Sequence, residues 1–356
     1  MSAAQDRSPD PTPSPQQQAF LESYSRDGAF ERFAAPGMGT ENVLLLPQAA
    51  GPALGKLAQD AFREFERLER ILSKFRADSD LTELNETGAE GPVRVDEDLF
   101  RTLEFAKSAW ELTDGLFDPT VGELMAAWGL VDMAGRVPDE AELTALRKRR
   151  GMDKVLLDSE TQSVRLAAPG VRLDLGGIGK GYAADRLVDS LKKAGVEAGA
   201  VLCGRSTTVT WGLAPGESRW RFEVVHPDEP STALTTLEAV PGAMSSSGAY
   251  ERQVQVGTQS YGHILDPVSG RPCARLRSAT VWTGNGLLGD VLSTVLYLAP
   301  DWLADEDRVR ALAHAAGQET RYSALLIEAA PNAWGGLATR EIHVGEAAWI
   351  VAGTSE

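Results

Sequence analysis

From Leu57 to Phe75 apolar residues return every three or four positions, a period that predicts a long amphipathic helix. The same period predicts helices over Asp96–Thr113, with Asp96 as N-cap, and over Asp139–Arg149, where the polar face is heavily charged. A short helix is expected at Ala19–Arg26, and a helical turn within the loop "RADSDLTELNETGAEGPVRV". In "DGLFDPTVGELMAAWGL" a turn comes first and Pro119 falls near a helix start. Between these elements "ERFAAPGMGTENVLLLP" reads as strand, glycine turn and strand, and Val155–Leu157 with Ser163–Leu166 as a hairpin. Val171–Leu175 reads as a strand that feeds, through glycines, a helix over Gly181–Ala194. Beyond Gly195 the period shifts to two. "GAVLCGRSTTVTWG", "RWRFEVVHP", "ALTTLEAVPGAMSSSG", "ERQVQVGTQSYGHILDP" and "RSATVWTG" alternate or run β-branched, with turn residues between them. Helices return at Gly289–Leu298 and Asp301–Ala316, and "ALLIEAAPNAWGGLATREIHV" closes the pattern with strands. Helices early and strands late predict an α+β fold with a largely antiparallel sheet and packed helices.

Composition narrows what such a fold does. The chain has 356 residues, 43% hydrophobic and 24% charged, in the range of a globular protein. A polar, proline-rich leader covers residues 1–28 and a single domain residues 29–356. Net charge is −16, which argues against nucleic acid as the main partner, since phosphate backbones need clustered Lys and Arg. No run approaches the roughly 20 apolar residues of a membrane span. The leader lacks a basic start followed by an apolar stretch, so the expected compartment is the cytoplasm. Cys203 and Cys273 stand far apart without metal spacing and read as free thiols.

The run "LDLGGIGKGYAADRL", Leu173–Leu187, packs four glycines around a lysine. It is not a P-loop, because Asp174 stands where the first glycine belongs and Gly181 where Ser or Thr would bind magnesium. It is not a dinucleotide fingerprint either, because the third glycine falls one position early. A strand-to-helix turn explains the glycines. So does an anion site, in which bare N–H groups at the helix start approach a phosphate, with Lys180 as cation and Asp174 as acceptor.

Two further places carry chemistry. In "GDVLSTVLYL", Asp290 and Thr294 lie one helical turn apart on one face of an otherwise apolar helix. Either Asp290 caps the helix and Thr294 bonds back to it, or the oxygen pair serves a hard cation such as Mg2+. His263 stands at a strand end before the turn "DPVSGRP", either as a packing residue or as a base beside a loop face.

Taken in order, "PGMGT", "LSKFRADSDLTELN", "DGLFDPTVGELMAAWGL", "DLGGIGKGYAAD", "GAMSSSGAYER", "YGHILDPVSGRP" and "GDVLSTVLYL" resemble the FAD:protein FMN transferases, the ApbE-type flavin transferases, from about Phe33 to Leu298. The resemblance implies an enzyme with FAD as substrate, held in a cleft between a helical and a sheet part, and Mg2+ as cofactor. FMN would pass through a phosphoester to Thr or Ser of an acceptor flavoprotein, releasing AMP. Hydrolysis of FAD to FMN and AMP, or FAD binding without catalysis, are the alternatives. By motif, the resemblance implies a metal site at Asp290, Thr294 and the backbone carbonyl of Gly177. FAD contacts would fall at Met38, Phe75, Leu116, Phe117, Asp118, Asp174, Lys180, His263 and Ile264, with His263 as base for the acceptor hydroxyl. Two places depart from the family pattern. Gly179 stands for the alanine of "DLGGIAKGY", and "LCGRSTTVTWG", with Arg205, stands for "NLGGD" or "NLGGN".

Overall fold

The computed structural model describes Tyr24 and residues 29–214, 216–227, 229, 233–248, 253–273, 275–331, 337–344 and 347–351. Apart from Tyr24, the leader and the helix expected at Ala19–Arg26 lie outside the described residues, as do positions 249–252 of the "GAMSSSGAYER" motif.

The chain opens with a hairpin of β1 (Phe30–Gly37) and β2 (Thr40–Pro47). Its two-residue turn sets Met38 and Gly39 at φ 51° and 73°, the left-handed pair that matches the twist of a tight hairpin. The Met38 N–H donates to Glu69 Oε1 at 2.7 Å and so ties the turn to the first helix. That helix, α1, spans Leu54–Leu72. α2 (Asp80–Thr87) follows, capped by Ser79, and the expected single turn is thus a full two-turn helix. After β3 (Val93–Arg94), α3 (Glu97–Leu112) starts under the Asp96 cap. α4 (Gly122–Ala127), α5 (Glu140–Arg147), β4 (Val155–Asp158) and β5 (Ser163–Leu166) complete the first half.

The expected strand at Val171–Leu175 does not form. Its backbone groups find partners outside any sheet. Leu173 exchanges hydrogen bonds with the Asn85 side chain at 2.7 and 3.0 Å, and Asp174 N donates to Pro119 O at 2.7 Å. One isolated parallel bridge joins Arg172 to Val121. The apolar run Val171, Leu173, Leu175 is buried in the core without a ladder, so burial alone produced the strand-like pattern.

α6 (Gly179–Lys193) then leads into β6 (Gly199–Cys203), β7 (Thr207–Trp211), β8 (Trp220–Val225), β9 (Ala233–Ala239) and β10 (Ala243–Gly248). The short pairs β11 (Gln253–Val256) with β12 (Gln259–Gly262), and β13 (Leu265–Asp266) with β14 (Arg271–Pro272), stand apart from the large sheet. β15 (Leu276–Thr283) is followed by α7 (Gly286–Leu298), and α8 (Glu306–Ala315) by β16 (Tyr322–Pro331), β17 (Leu337–Val344) and β18 (Trp349–Val351). The helix expected over Asp301–Ala316 is divided: a 3-10 turn covers Pro300–Ala304, and Asp305 caps α8.

The main sheet runs β1-β2-β6-β7-β10-β15-β16-β17, with every neighbour antiparallel. Side chains alternate between two cores. Leu44, Leu46, Val201, Cys203, Val281 and Leu326 face the helices α1, α3, α6, α7 and α8. Val43, Leu45, Leu202, Trp282 and Leu325 face a smaller sheet, β18-β9-β8, which contributes Trp220, Phe222 and Trp349. A strand covered on both faces shows no polar alternation, which is why β2 reads as the unbroken run "VLLL". Cys203 and Cys273 are free, the first buried and the second half-buried. Among the described residues no helix is long and apolar enough to cross a membrane.

Candidate active site

The glycine loop meets α7 at a backbone crossing. A Cβ at Gly181 would lie 2.0 Å from Gly286 O, and one at Gly286 would lie 2.7 Å from Gly181 O. Neither position admits a side chain. The contact is fixed by two carboxylates that bond across it. Asp185 of α6 accepts from the N–H groups of Gly286 and Leu287 at 2.7 and 2.8 Å, and Asp290 of α7 accepts from Gly181 N at 2.7 Å. One glycine of the motif therefore serves helix packing. Its N–H, which the sequence offered to an anion, is taken by Asp290. The Gly179 N–H is likewise taken by Leu175 O at 2.8 Å.

Asp290 does not cap α7. Asn285 does, by accepting from Leu288 N, and the helix starts three residues before the expected Gly289. Asp290 lies in the second turn, 7% exposed, and its Oδ1 accepts from Thr207 Oγ1 at 2.6 Å and from Ser245 Oγ at 3.2 Å. Burial pushes its carboxyl above the usual range, opposed by the positive charge of Lys180 and by these hydrogen bonds. Lys180 extends from the start of α6 to the Ser206 hydroxyl in the β6–β7 turn.

Thr294 does bond back along the helix, its hydroxyl donating to Asp290 O at 3.1 Å. That bond consumes the proton and leaves the oxygen lone pairs as acceptors. From Leu288 to Leu298 every residue is buried except Thr294, so beyond its first turn α7 opens only at that side chain. Opposite it stands Gly177, where a Cβ would lie 3.7 Å from Thr294 Oγ1 and 3.4 Å from the Phe117 ring. One buried carboxylate, one hydroxyl and the backbone of a glycine are hard oxygen donors. They fit Mg2+, which takes few protein ligands and keeps water or substrate phosphate for the rest.

The other candidate residues fall into two groups. Asp174 is buried, pairs with Lys74 of "LSKF" and accepts from Gly176 N at 2.9 Å, which curls the glycine loop. Phe117 is buried beside that loop, Leu116 packs against the same core, and Ile264 is buried in it. Met38 is half-buried in its hairpin turn, and Phe75 is 56% exposed beneath the Lys74 ammonium. The Asp118 carboxylate faces inward, bonded to Thr120 N at 2.9 Å and to Arg150 at 3.1 Å, so it holds the "GLFD" turn in shape. His263 is half-buried in the link between β12 and β13. Ile264 O accepts from Cys273 N at 2.9 Å, and Cys273 O accepts from Tyr297 Oη at 3.2 Å, so the His263 segment is lashed to the α7 turn that follows Thr294.

Four partners escaped the sequence reading: Lys74, Ser206, Thr207 and Ser245. Each stands within or beside a quoted motif. No local spacing could pair them, since Thr207 and Asp290 are 83 positions apart, and Lys74 and Asp174 are 100.

An α+β scaffold with a lysine at a glycine-rich helix start, facing a buried carboxylate on the crossing helix, has the constellation of a phosphate-handling protein. Residues 38–315 match the ApbE family, and the chain belongs to that family. It is 33% identical over 243 residues to the FAD:protein FMN transferase of Klebsiella pneumoniae (strain 342), covering 68% of this chain and 75% of that relative. It is 30% identical over 271 residues to the enzyme of that name from Vibrio cholerae, covering 74% of this chain and 79% of the relative. Among solved structures it resembles the ApbE protein of Thermotoga maritima with TM-score 0.75 at 27% identity, over 87% of this chain and 96% of that one. It resembles the Vibrio cholerae flavin transferase ApbE with TM-score 0.71 at 27% identity, over 88% and 96%.

Proposed function

We propose that this chain is a magnesium-assisted FAD:protein FMN transferase that joins FMN to a Ser or Thr hydroxyl of an acceptor flavoprotein. Transfer of a flavin follows from family membership and from the names of the relatives. The metal, the acceptor and the residue roles are the reading's additions. One observation carries them: Asp290, Lys180 and Thr294, the one half-buried polar side chain between Leu288 and Leu298, gather at one helix crossing beside the glycine loop.

Asp290, Thr294 and the carbonyl of Gly177 would hold Mg2+ against the FAD pyrophosphate. When bound, the ion neutralises phosphate charge and stabilises the charge that develops as the bond to AMP breaks. Thr207, Ser245 and Gly181 N keep the Asp290 carboxylate in one orientation. Lys180, held by Ser206, adds a second positive charge toward the phosphates. Lys74 and the Gly176 N–H fix Asp174, and with it the curl of the loop that flanks the flavin. His263 accepts the proton of the acceptor hydroxyl as its oxygen attacks the FMN phosphorus. The phosphorus–oxygen bond to AMP breaks, AMP leaves with the electron pair, and a phosphoester links FMN to the acceptor.

The test is incubation of the protein with FAD, Mg2+ and an acceptor bearing a Ser/Thr flavinylation motif. Fluorescent acceptor on a denaturing gel, AMP in equal amount and no reaction after chelation are expected. FMN and AMP without labelled acceptor would replace transfer by hydrolysis. Absence of FAD binding would remove the reading altogether.

A further inference from the structure

The turn between β6 and β7 holds a cation whose Nε has no hydrogen-bond partner among the described residues. Cys203 and Thr207 are a register pair, and they close a three-residue turn of Gly204, Arg205 and Ser206. Its first and last residues are fixed from three sides. Gly204 adopts φ 61°, donates to Glu41 O at 3.2 Å and sits so close to Thr40 that a Cβ would lie 2.9 Å from that side chain. Ser206 O accepts from Ser246 N at 2.8 Å, and Ser206 Oγ meets the Lys180 ammonium. The turn is therefore pinned between the β1–β2 hairpin that carries Met38, the strand β10, and the start of α6.

Arg205 stands between these fixed residues. It is half-buried, and its Nε is closed off from solvent with no hydrogen-bond partner among the described residues. A buried donor without an acceptor is costly, and charged ones most of all. The protein carries 51 acidic residues against 35 basic ones, yet no carboxylate has been placed against this guanidinium among the described residues. A planar fork of donors one residue from the hydroxyl that holds Lys180, in a turn pinned at both ends, suits a doubly charged phosphate chain.

We propose that Arg205 binds the pyrophosphate of the dinucleotide substrate as a second cation next to Lys180, and so sets the preference of this chain for FAD over flavins without phosphates. The inference rests on the flavin-transfer reading. The energy of binding is supplied by the ligand oxygens that satisfy Nε and the outer nitrogens together.

Binding, measured without turnover, tests it. Wild type, Arg205→Gln and Arg205→Lys are titrated with FAD and with riboflavin, which shares the ring system and lacks phosphate, and each variant is melted alongside. Arg205→Gln is expected to weaken FAD roughly 10- to 100-fold, the size of a lost charge-assisted hydrogen bond, with riboflavin unchanged. Arg205→Lys keeps the charge and loses the fork, so it should weaken FAD by a smaller factor at an unchanged melting temperature. FAD affinity equal to wild type in both variants overturns the proposal, as does parallel loss of FAD and riboflavin, which would mark a structural arginine. Wild type that binds no flavin overturns the functional reading itself.

Discussion

Gly179 and Gly181 occupy the same turn at the start of α6, yet an alanine should have opposite effects at the two positions. At Gly179 the nearest atom to an added Cβ is Leu175 Cβ at 4.0 Å, an ordinary contact, and the backbone is not left-handed. Gly179→Ala should be neutral or stabilise by up to about 1 kcal/mol, through the smaller entropy of the unfolded chain. At Gly181 the Cβ would meet Gly286 O at 2.0 Å, where ordinary contact begins at 3.4 Å, so α6 and α7 would have to part by about 1.4 Å. Overpacking of this kind costs roughly 1–3 kcal/mol. The same displacement stretches the bonds from Gly181 N to Asp290 and from Gly286 and Leu287 N to Asp185, each a buried carboxylate contact worth about 1–3 kcal/mol. Because the bonds are stretched rather than broken, only part of their worth adds to the overpacking cost, for a total of about 3–5 kcal/mol, a fall in melting temperature on the order of 5–10 °C in a domain of this size. Thermal melts of the two variants, with and without FAD and Mg2+, provide the assay. Gly181→Ala should also lose the extra stabilisation that Mg2+ gives, since Asp290 is displaced. A Gly181→Ala protein that melts like wild type, or a Gly179→Ala protein that falls equally far, would refute the crossing as the reason for the glycine.

Asp290→Asn should remove magnesium-dependent transfer while FAD still binds; unchanged activity across a Mg2+ titration would return Asp290 to a packing role. His263→Ala should keep FAD affinity and magnesium dependence and lose roughly 10²–10⁴-fold of transfer rate; near wild-type flavinylation by His263→Asn would withdraw the base. Burial pushes the Asp185 carboxyl up to about 7, well above the usual carboxylate range of about 4. The folded state thus holds this proton more tightly than the unfolded one, and the contribution to stability, complete below about pH 4, is lost as pH rises through 7. Asp185→Asn should flatten the stability profile between those values, as read from denaturant melts across pH.

Much of this protein was legible along the chain. Periodicity placed α1, α3 and α5, because an amphipathic surface helix must repeat at its own geometric period, and β-branched or alternating runs bounded by turn residues placed the strands after Gly195. The oxygen pair of Asp290 and Thr294 was visible for the same reason: two polar residues one turn apart on an apolar helix stand out against their neighbours. Family motifs in order did the rest, and residues 38–315 bear them out. What required tertiary structure is whatever depends on contacts across long separations. Val171–Leu175 has the apolar content of a strand, but Asn85 and Pro119 satisfy its backbone instead of a ladder. Gly181 looked like part of an anion cradle, and only the approach of Gly286 reveals that it is there to let two helices touch. Along the chain Asp290 could be a cap or a cation ligand, and only the structure puts Asn285 in the cap position and Thr207, Ser245 and Gly181 around the carboxylate. Sequence fixes which side chains are available and at what local period. Which of them meet is decided when the antiparallel sheet brings β7 and β10 beneath α7, because hydrogen bonds and burial act through distance in space and leave no periodic trace in the chain.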